Sequence, residues 1–145
     1  MFYLIAYILW ILFSVYEGKR EAYYFSFKMK ASVAQRQGYK INEHFMFTIQ
    51  RLFVLLLSVI PFYDGLINGI LLTSAMMFCF PFFHDGMYYL TRNKLDGIYT
   101  KKWWDQSVSS SAESDKLHLF DPIPRTVLAC LSFGIACYEI IKMLQ

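Results

Sequence analysis

The sequence predicts an all-α, polytopic membrane protein: four transmembrane helices with two cytoplasmic polar segments. Three observations carry that prediction. Hydrophobic residues make up 57% of the 145-residue chain and aromatic residues 19%, and mean hydropathy is +0.35, so the apolar share exceeds that of ordinary soluble domains. The apolar residues fall in blocks close to the length that spans a bilayer. The basic residues gather in two of the segments between blocks and avoid the rest. The chain reads as a single integral membrane domain with spans near 2–22, 45–62, 66–85 and 125–142, and polar segments at 23–44 and 86–124.

The first block, Phe2 to Tyr16, is interrupted only by Ser14. No charged stretch precedes it and no small-x-small site comes after it, so it reads as a retained anchor. It is short for a crossing, and the helix is expected to continue through Glu17–Ala22 into Tyr23, Tyr24 and Phe25. Long basic side chains there can snorkel, and the aromatic rings suit the membrane interface. Residues 26–43 read as the end of a long helix and then a turn at Gln37-Gly38, with Asn42 as an N-cap for the second span.

The second span, Phe45 to Phe62, carries Thr48, Gln50, Arg51 and Ser58 inside it. Pro61 and Tyr63-Asp64-Gly65 make a tight turn, and Leu66 to Phe83 forms the third span. Together these two exceed thirty apolar residues, too many for one crossing and right for two. In the next polar segment, Trp103-Trp104 reads as an interfacial anchor and Ser107 to Ser114 as a loop. Pro122 and Pro124 precede the fourth span. Small residues recur there at four-residue spacing, Cys130 with Gly134 and Ser132 with Ala136, a weak form of a helix-packing pattern.

Basic residues orient the spans. Lys19, Arg20, Lys28, Lys30, Arg36 and Lys40 come after the first span. Arg92, Lys94, Lys101, Lys102, Lys116 and Arg125 lie between the third and fourth. The segment between the second and third has no Lys or Arg, and the C-terminal end has only Lys142. The positive-inside rule puts both long polar segments in the cytoplasm of a cell-membrane protein, with the N- and C-termini extracytoplasmic. The net charge of +3, spread around apolar blocks, suits an anionic membrane surface and gives no basis for nucleic-acid binding.

That topology brings three sets of polar groups to one leaflet. Glu17, Arg20, Glu21 and Tyr24 fall at i, i+3, i+4 and i+7 and line one helix face. His44, Thr48 and Arg51 do the same on the second span. His84 and Tyr88 share a face of the third, with Asp85, Tyr89 and Arg92 on the neighbouring one. An arginine at the depth of Arg51 costs about 2.5–3.5 kcal/mol on insertion scales. A carboxylate partner offsets part of that, and Glu17, Glu21 and Asp85 are the candidates.

The leading expectation is a non-enzymatic protein whose cluster packs the bundle. Arg20, Arg51, Arg92 and Tyr88 are its candidates for binding an anionic lipid headgroup or a membrane-protein partner, since arginine suits phosphate recognition. No cofactor is predicted under it. The alternative is a metal-dependent, membrane-embedded hydrolase or oxidase with zinc or iron held by Glu17, Glu21, His44, His84 and Asp85. Against it, no His-x-x-x-His or Glu-x-x-His spacing is present, and His84 and Asp85 point roughly 100° apart on a regular helix. A holin-like pore-former is a further alternative, suggested by small size and short spans. No G-x-S-x-G elbow or glycine-rich phosphate loop occurs. Cys79, Cys130 and Cys137 read as small buried hydrophobes, His118 as a solvent-exposed loop residue, and Glu139 with Lys142 as an i,i+3 pair at the end of the last helix.

Overall fold

The computed structural model describes residues 2–29, 45–46, 48–50, 52–54, 56–57, 65–96 and 122–145, and among these every residue except Gly65 and Gln145 is helical. Three helices are continuous: α1 (Phe2–Met29), α2 (Leu66–Asp96) and α3 (Pro122–Leu144). The described residues between 45 and 57, in the second predicted span, are helical too. His44, Arg51, His118, Trp103, Trp104, the Gln37-Gly38 turn and the Ser107–Ser114 loop lie outside the described residues.

Local sequence explains where these helices start and why they persist. Gly65 has φ 82°, a left-handed conformation that glycine adopts without steric cost. Its carbonyl accepts the first bond of α2, from the Gly69 amide at 3.0 Å. Thr73 and Ser74 donate their hydroxyls to the carbonyls of Gly69 (2.8 Å) and Ile70 (3.0 Å), so neither competes with the helix. Pro81 sits inside α2 without ending it, and the helix runs on to Asp96, well past the apolar limit near residue 85. In α3, Pro122 and Pro124 occupy the first turn, where a missing N–H forfeits no intrahelical bond.

The central helix is α2, with α1 along one side and α3 along another. α1 and α2 are parallel. Trp10 Nε1 donates to the Met76 carbonyl at 2.6 Å, the Phe13 and Phe80 rings meet at 6.4 Å, and Phe25 meets Tyr88 at 6.1 Å. α3 runs the other way: Arg125 lies by Asp85, Ser132 by Ala75 and Lys142 by Asn68.

The core combines aromatic and small side chains: Tyr3, Ala6, Tyr7, Phe13, Ala75 and Cys79 are all buried. A polar pin crosses it. The Ser132 hydroxyl donates to the Ala75 carbonyl at 2.5 Å and sits 2.8 Å from the Tyr7 hydroxyl, so one buried oxygen joins all three helices. Of the small-residue pairs in the last helix, Ser132 and Ala136 face the bundle, whereas Cys130 is exposed and Gly134 has open space where a Cβ would be. Cys130 and Cys137 depart from the expectation of burial; only Cys79 is buried, and all three thiols are free.

α2 over Leu66–Leu95 and α3 over Ile123–Lys142 are long and apolar enough to cross a membrane, and only 28% of the most apolar window of each is buried within the protein. Leu66, Ile67 and Ile123 are 82%, 72% and 77% exposed. Continuous apolar surface of that kind is costly in water and at home in lipid.

Ser132→Ala removes both bonds of the pin. We expect it to lower unfolding stability in mixed detergent micelles by about 1–2 kcal/mol. Cys130→Ala, on the exposed face, should change it by less than about 0.5 kcal/mol. Equal effects from the two substitutions would show that the pin does not hold the bundle.

Candidate functional site

The polar groups gather at the end of the bundle formed by the C-terminal half of α1, the last turns of α2 and the first turn of α3. What brings α1 and α2 together there is Gly18. A Cβ on Gly18 would run into the carbonyl of His84 and crowd the Tyr88 amide, so the two backbones touch where most helices are held apart by side chains. Residues flanking the crossing therefore meet at short range: Glu17, Arg20 and Glu21 from α1, and His84, Asp85 and Tyr88 from α2.

His84 is the hub. Its Nδ1 lies 2.8 Å from Asp85 Oδ1 and its Nε2 lies 3.4 Å from Glu21 Oε2. The ring stacks on Phe80 at 4.8 Å between centroids and 20° between planes, which fixes its orientation. Adjacent helical positions diverge at the backbone, yet the Asp85 side chain turns back onto the His84 ring. The spacing objection to a joint role for this pair is removed by side-chain rotation, with no break in the helix at Pro81 or Gly86.

On the α1 side, Arg20 grips Glu17 with two bonds, Nη2 to Oε1 at 2.8 Å and Nε to Oε2 at 3.2 Å, and reaches Glu21 at 4.0 Å. On the α3 side, Arg125 Nη1 lies 3.6 Å from Asp85 Oδ2, and Arg125 is fully buried. Polar contacts thus run without a gap from Arg20 through Glu21, His84 and Asp85 to Arg125, across three helices, and they are charge contacts throughout when His84 is protonated. One donor atom each from Glu17, Glu21 and His84 lies within 4.8 Å of the others.

The structure brings together Glu17, Arg20, Glu21, His84 and Asp85. Tyr88 and Arg92 form the next layer: Arg92 Nη1 donates to the Tyr88 hydroxyl at 3.2 Å, and its guanidinium lies 5.9 Å from the Tyr88 ring centre. Arg92 is itself buried. His44 and Arg51 lie outside the described residues. Sequence reasoning misses two contributors. Arg125 enters it only through the charge count, although an arginine at the start of an apolar helix, like one inside it at Arg51, is a charge that calls for a partner. Gly18 enters it only as part of a continuing helix, although a glycine between charged neighbours inside a helix suggests close backbone approach. At the other end of the bundle, Lys142 lies 4.0 Å from Glu139, as the i,i+3 spacing implies, and donates to Asn68 Oδ1 at 3.1 Å.

Comparison of the chain with protein-family models, curated proteins and solved structures finds no match.

Gly18→Ala gives a test whose sign is informative. Alanine is the better helix former by about 1 kcal/mol, so at an open position it would stabilise α1. At this crossing the added methyl forces the helices apart, and we expect a net loss of about 1–3 kcal/mol in a detergent-unfolding titration. A gain in stability would place α2 further from Gly18.

Proposed function

We propose that this chain is a four-span integral membrane protein, non-enzymatic, whose cluster at the cytoplasmic leaflet locks its helices together. The observation that carries this reading is the unbroken run of charge contacts Arg20–Glu21–His84–Asp85–Arg125 across α1, α2 and α3. Each charge in a low-dielectric setting is costly alone and is offset by a neighbour of opposite sign. Removing one member leaves its partners uncompensated, so the network favours a single mutual arrangement of the helices.

The parallel run of α1 and α2 supports the four-span topology. Two parallel crossings need an odd number of crossings between them, and the apolar block at 45–62 supplies one. α3, antiparallel to α2, then returns the chain to the side on which it began. With the basic residues concentrated after α1 and after α2, both termini are extracytoplasmic. The polar cluster then sits at the level of the cytoplasmic headgroups, with Arg20, Arg92 and Tyr88 as the groups for an anionic headgroup or a membrane-protein partner.

A double-mutant cycle tests the lock. Asp85→Asn and Arg125→Gln should each destabilise the bundle, and together by less than the sum, with a coupling of about 0.5–3 kcal/mol. Additive losses would remove the lock. Reporter fusions at each terminus test the topology: both should report the extracytoplasmic side, termini on opposite sides would refute four spans, and cytoplasmic signals from both would refute the orientation.

A further inference from the structure

We propose that Glu17, Glu21 and His84 form a binding site for a divalent first-row transition metal, zinc or iron, with Asp85 as the carboxylate that orients the histidine. The site lies within the polar cluster and rests on the same α1–α2 crossing as the lock proposed above, but it asks more of these residues than charge compensation.

The two ring nitrogens of His84 have different surroundings. A hydrogen bond from Nδ1 to the Asp85 carboxylate at 2.8 Å makes Nδ1 the protonated nitrogen, which leaves Nε2 with its lone pair. That lone pair faces Glu21 Oε2 at 3.4 Å. Lone pair against carboxylate is repulsive, so an electropositive centre belongs between them: a second proton or a cation. Histidines that ligate metals almost always donate the other ring N–H to a carboxylate, carbonyl or water, which fixes the tautomer and raises the basicity of the ligating nitrogen. The Asp85–His84 pair has that form.

The distance also fits a cation. Bonds of about 2.0–2.2 Å from zinc to imidazole nitrogen and carboxylate oxygen, set at tetrahedral angles, put neighbouring donor atoms roughly 3.3 Å apart. Nε2 and Oε2 stand 3.4 Å apart, so this pair already has the span of one edge of such a tetrahedron. A proton on Nε2 would face the same carboxylate, so metal and proton compete for this position.

The third donor comes from the helix repeat. Glu17 and Glu21 are four residues apart and project from the same face of α1, and a Glu17 oxygen stands within 4.8 Å of the other two donors. Closing that gap requires the Glu17 carboxylate to rotate toward the other two donors. In doing so Glu17 exchanges part of its pairing with Arg20 for the metal, and Arg20 remains beside both carboxylates. One imidazole and two carboxylates suit zinc, iron(II) and manganese(II) better than the softer thiolate-preferring ions. Three protein donors leave at least one coordination position for water.

The full-length chain, purified in detergent with a tag that does not bind metal and stripped with chelator, is titrated with Zn²⁺ and with Co²⁺. The expected result is about one metal per chain, with cobalt d–d absorption showing nitrogen and oxygen ligation. His84→Ala and Glu21→Gln should each weaken binding at least tenfold, whereas Glu139→Gln, at the far end of the bundle, should not. Glu21→Gln keeps size and hydrogen-bonding capacity, so it reports on ligation even if His84→Ala fails to fold. Stoichiometric binding lost in Glu21→Gln supports the site. Absence of binding by the folded wild-type protein, or equal binding by wild type and Glu21→Gln, overturns it. Either overturning result leaves the lock intact if the Asp85–Arg125 coupling persists, and the coupling can vanish while metal binding remains, so the two ideas fail separately.

Discussion

The contact on which the rest depends is the backbone crossing of α1 and α2 at Gly18. Helix axes packed through ordinary side chains stand about 8–10 Å apart, and charged side chains on either would then reach across solvent or lipid. With Gly18 against the His84 carbonyl, carboxylates and the imidazole from opposite helices come within ion-pairing distance. A single missing Cβ thus sets the geometry of the charged and titratable groups around it. The aromatic ladder on the same side of the interface, Phe13 and Trp10 against Phe80, fixes the rotation of α1 that this crossing requires.

Two of the sets of polar contacts in this bundle differ in kind. In the middle, the Ser132 hydroxyl and the Tyr7 hydroxyl pin three helices through neutral bonds, one of them to a helix carbonyl. These bonds involve no net charge, so they suit the most apolar part of the core. At the end, the Arg20–Arg125 run uses formal charges on side chains long enough to reach between helices. The gradient from neutral to charged matches the cost of burying each type. Hydrophobic burial alone does little to specify helix pairing in lipid, since lipid tails are as apolar as leucine, and directional contacts carry more of that task.

The direction of the helices and the chemistry of the cluster are linked. Because α1 and α2 are parallel, their C-terminal halves end on one side, and the carboxylates after the apolar part of α1 meet the ionisable end of α2. Because α3 is antiparallel, its first turn arrives at the same level and brings Arg125 to Asp85. An antiparallel pairing of α1 with α2 would have put Glu17 and Glu21 near Leu66 and Ile67, away from His84 and Arg125.

The sequence by itself determined the helical class, the apolar blocks that became α2 and α3, the glycine that opens α2, and the shared face of Glu17, Arg20 and Glu21. Each rests on local rules: block length, glycine and proline chemistry, and the 3.6-residue repeat. It also singled out His84 and Asp85, because ionisable groups at the end of an apolar helix stand out in composition. It did not reveal that His84 and Asp85 act together, since a helical wheel separates neighbours and only side-chain torsion reunites them. It did not reveal Arg125 or Gly18 as contact residues, and it offered Ser132 only within a weak small-residue pattern. An arginine, a serine and a glycine look alike in sequence whether they face lipid or a neighbouring helix. Helix rotation and crossing distance decide which, and both are set by how the surfaces of α1, α2 and α3 fit together.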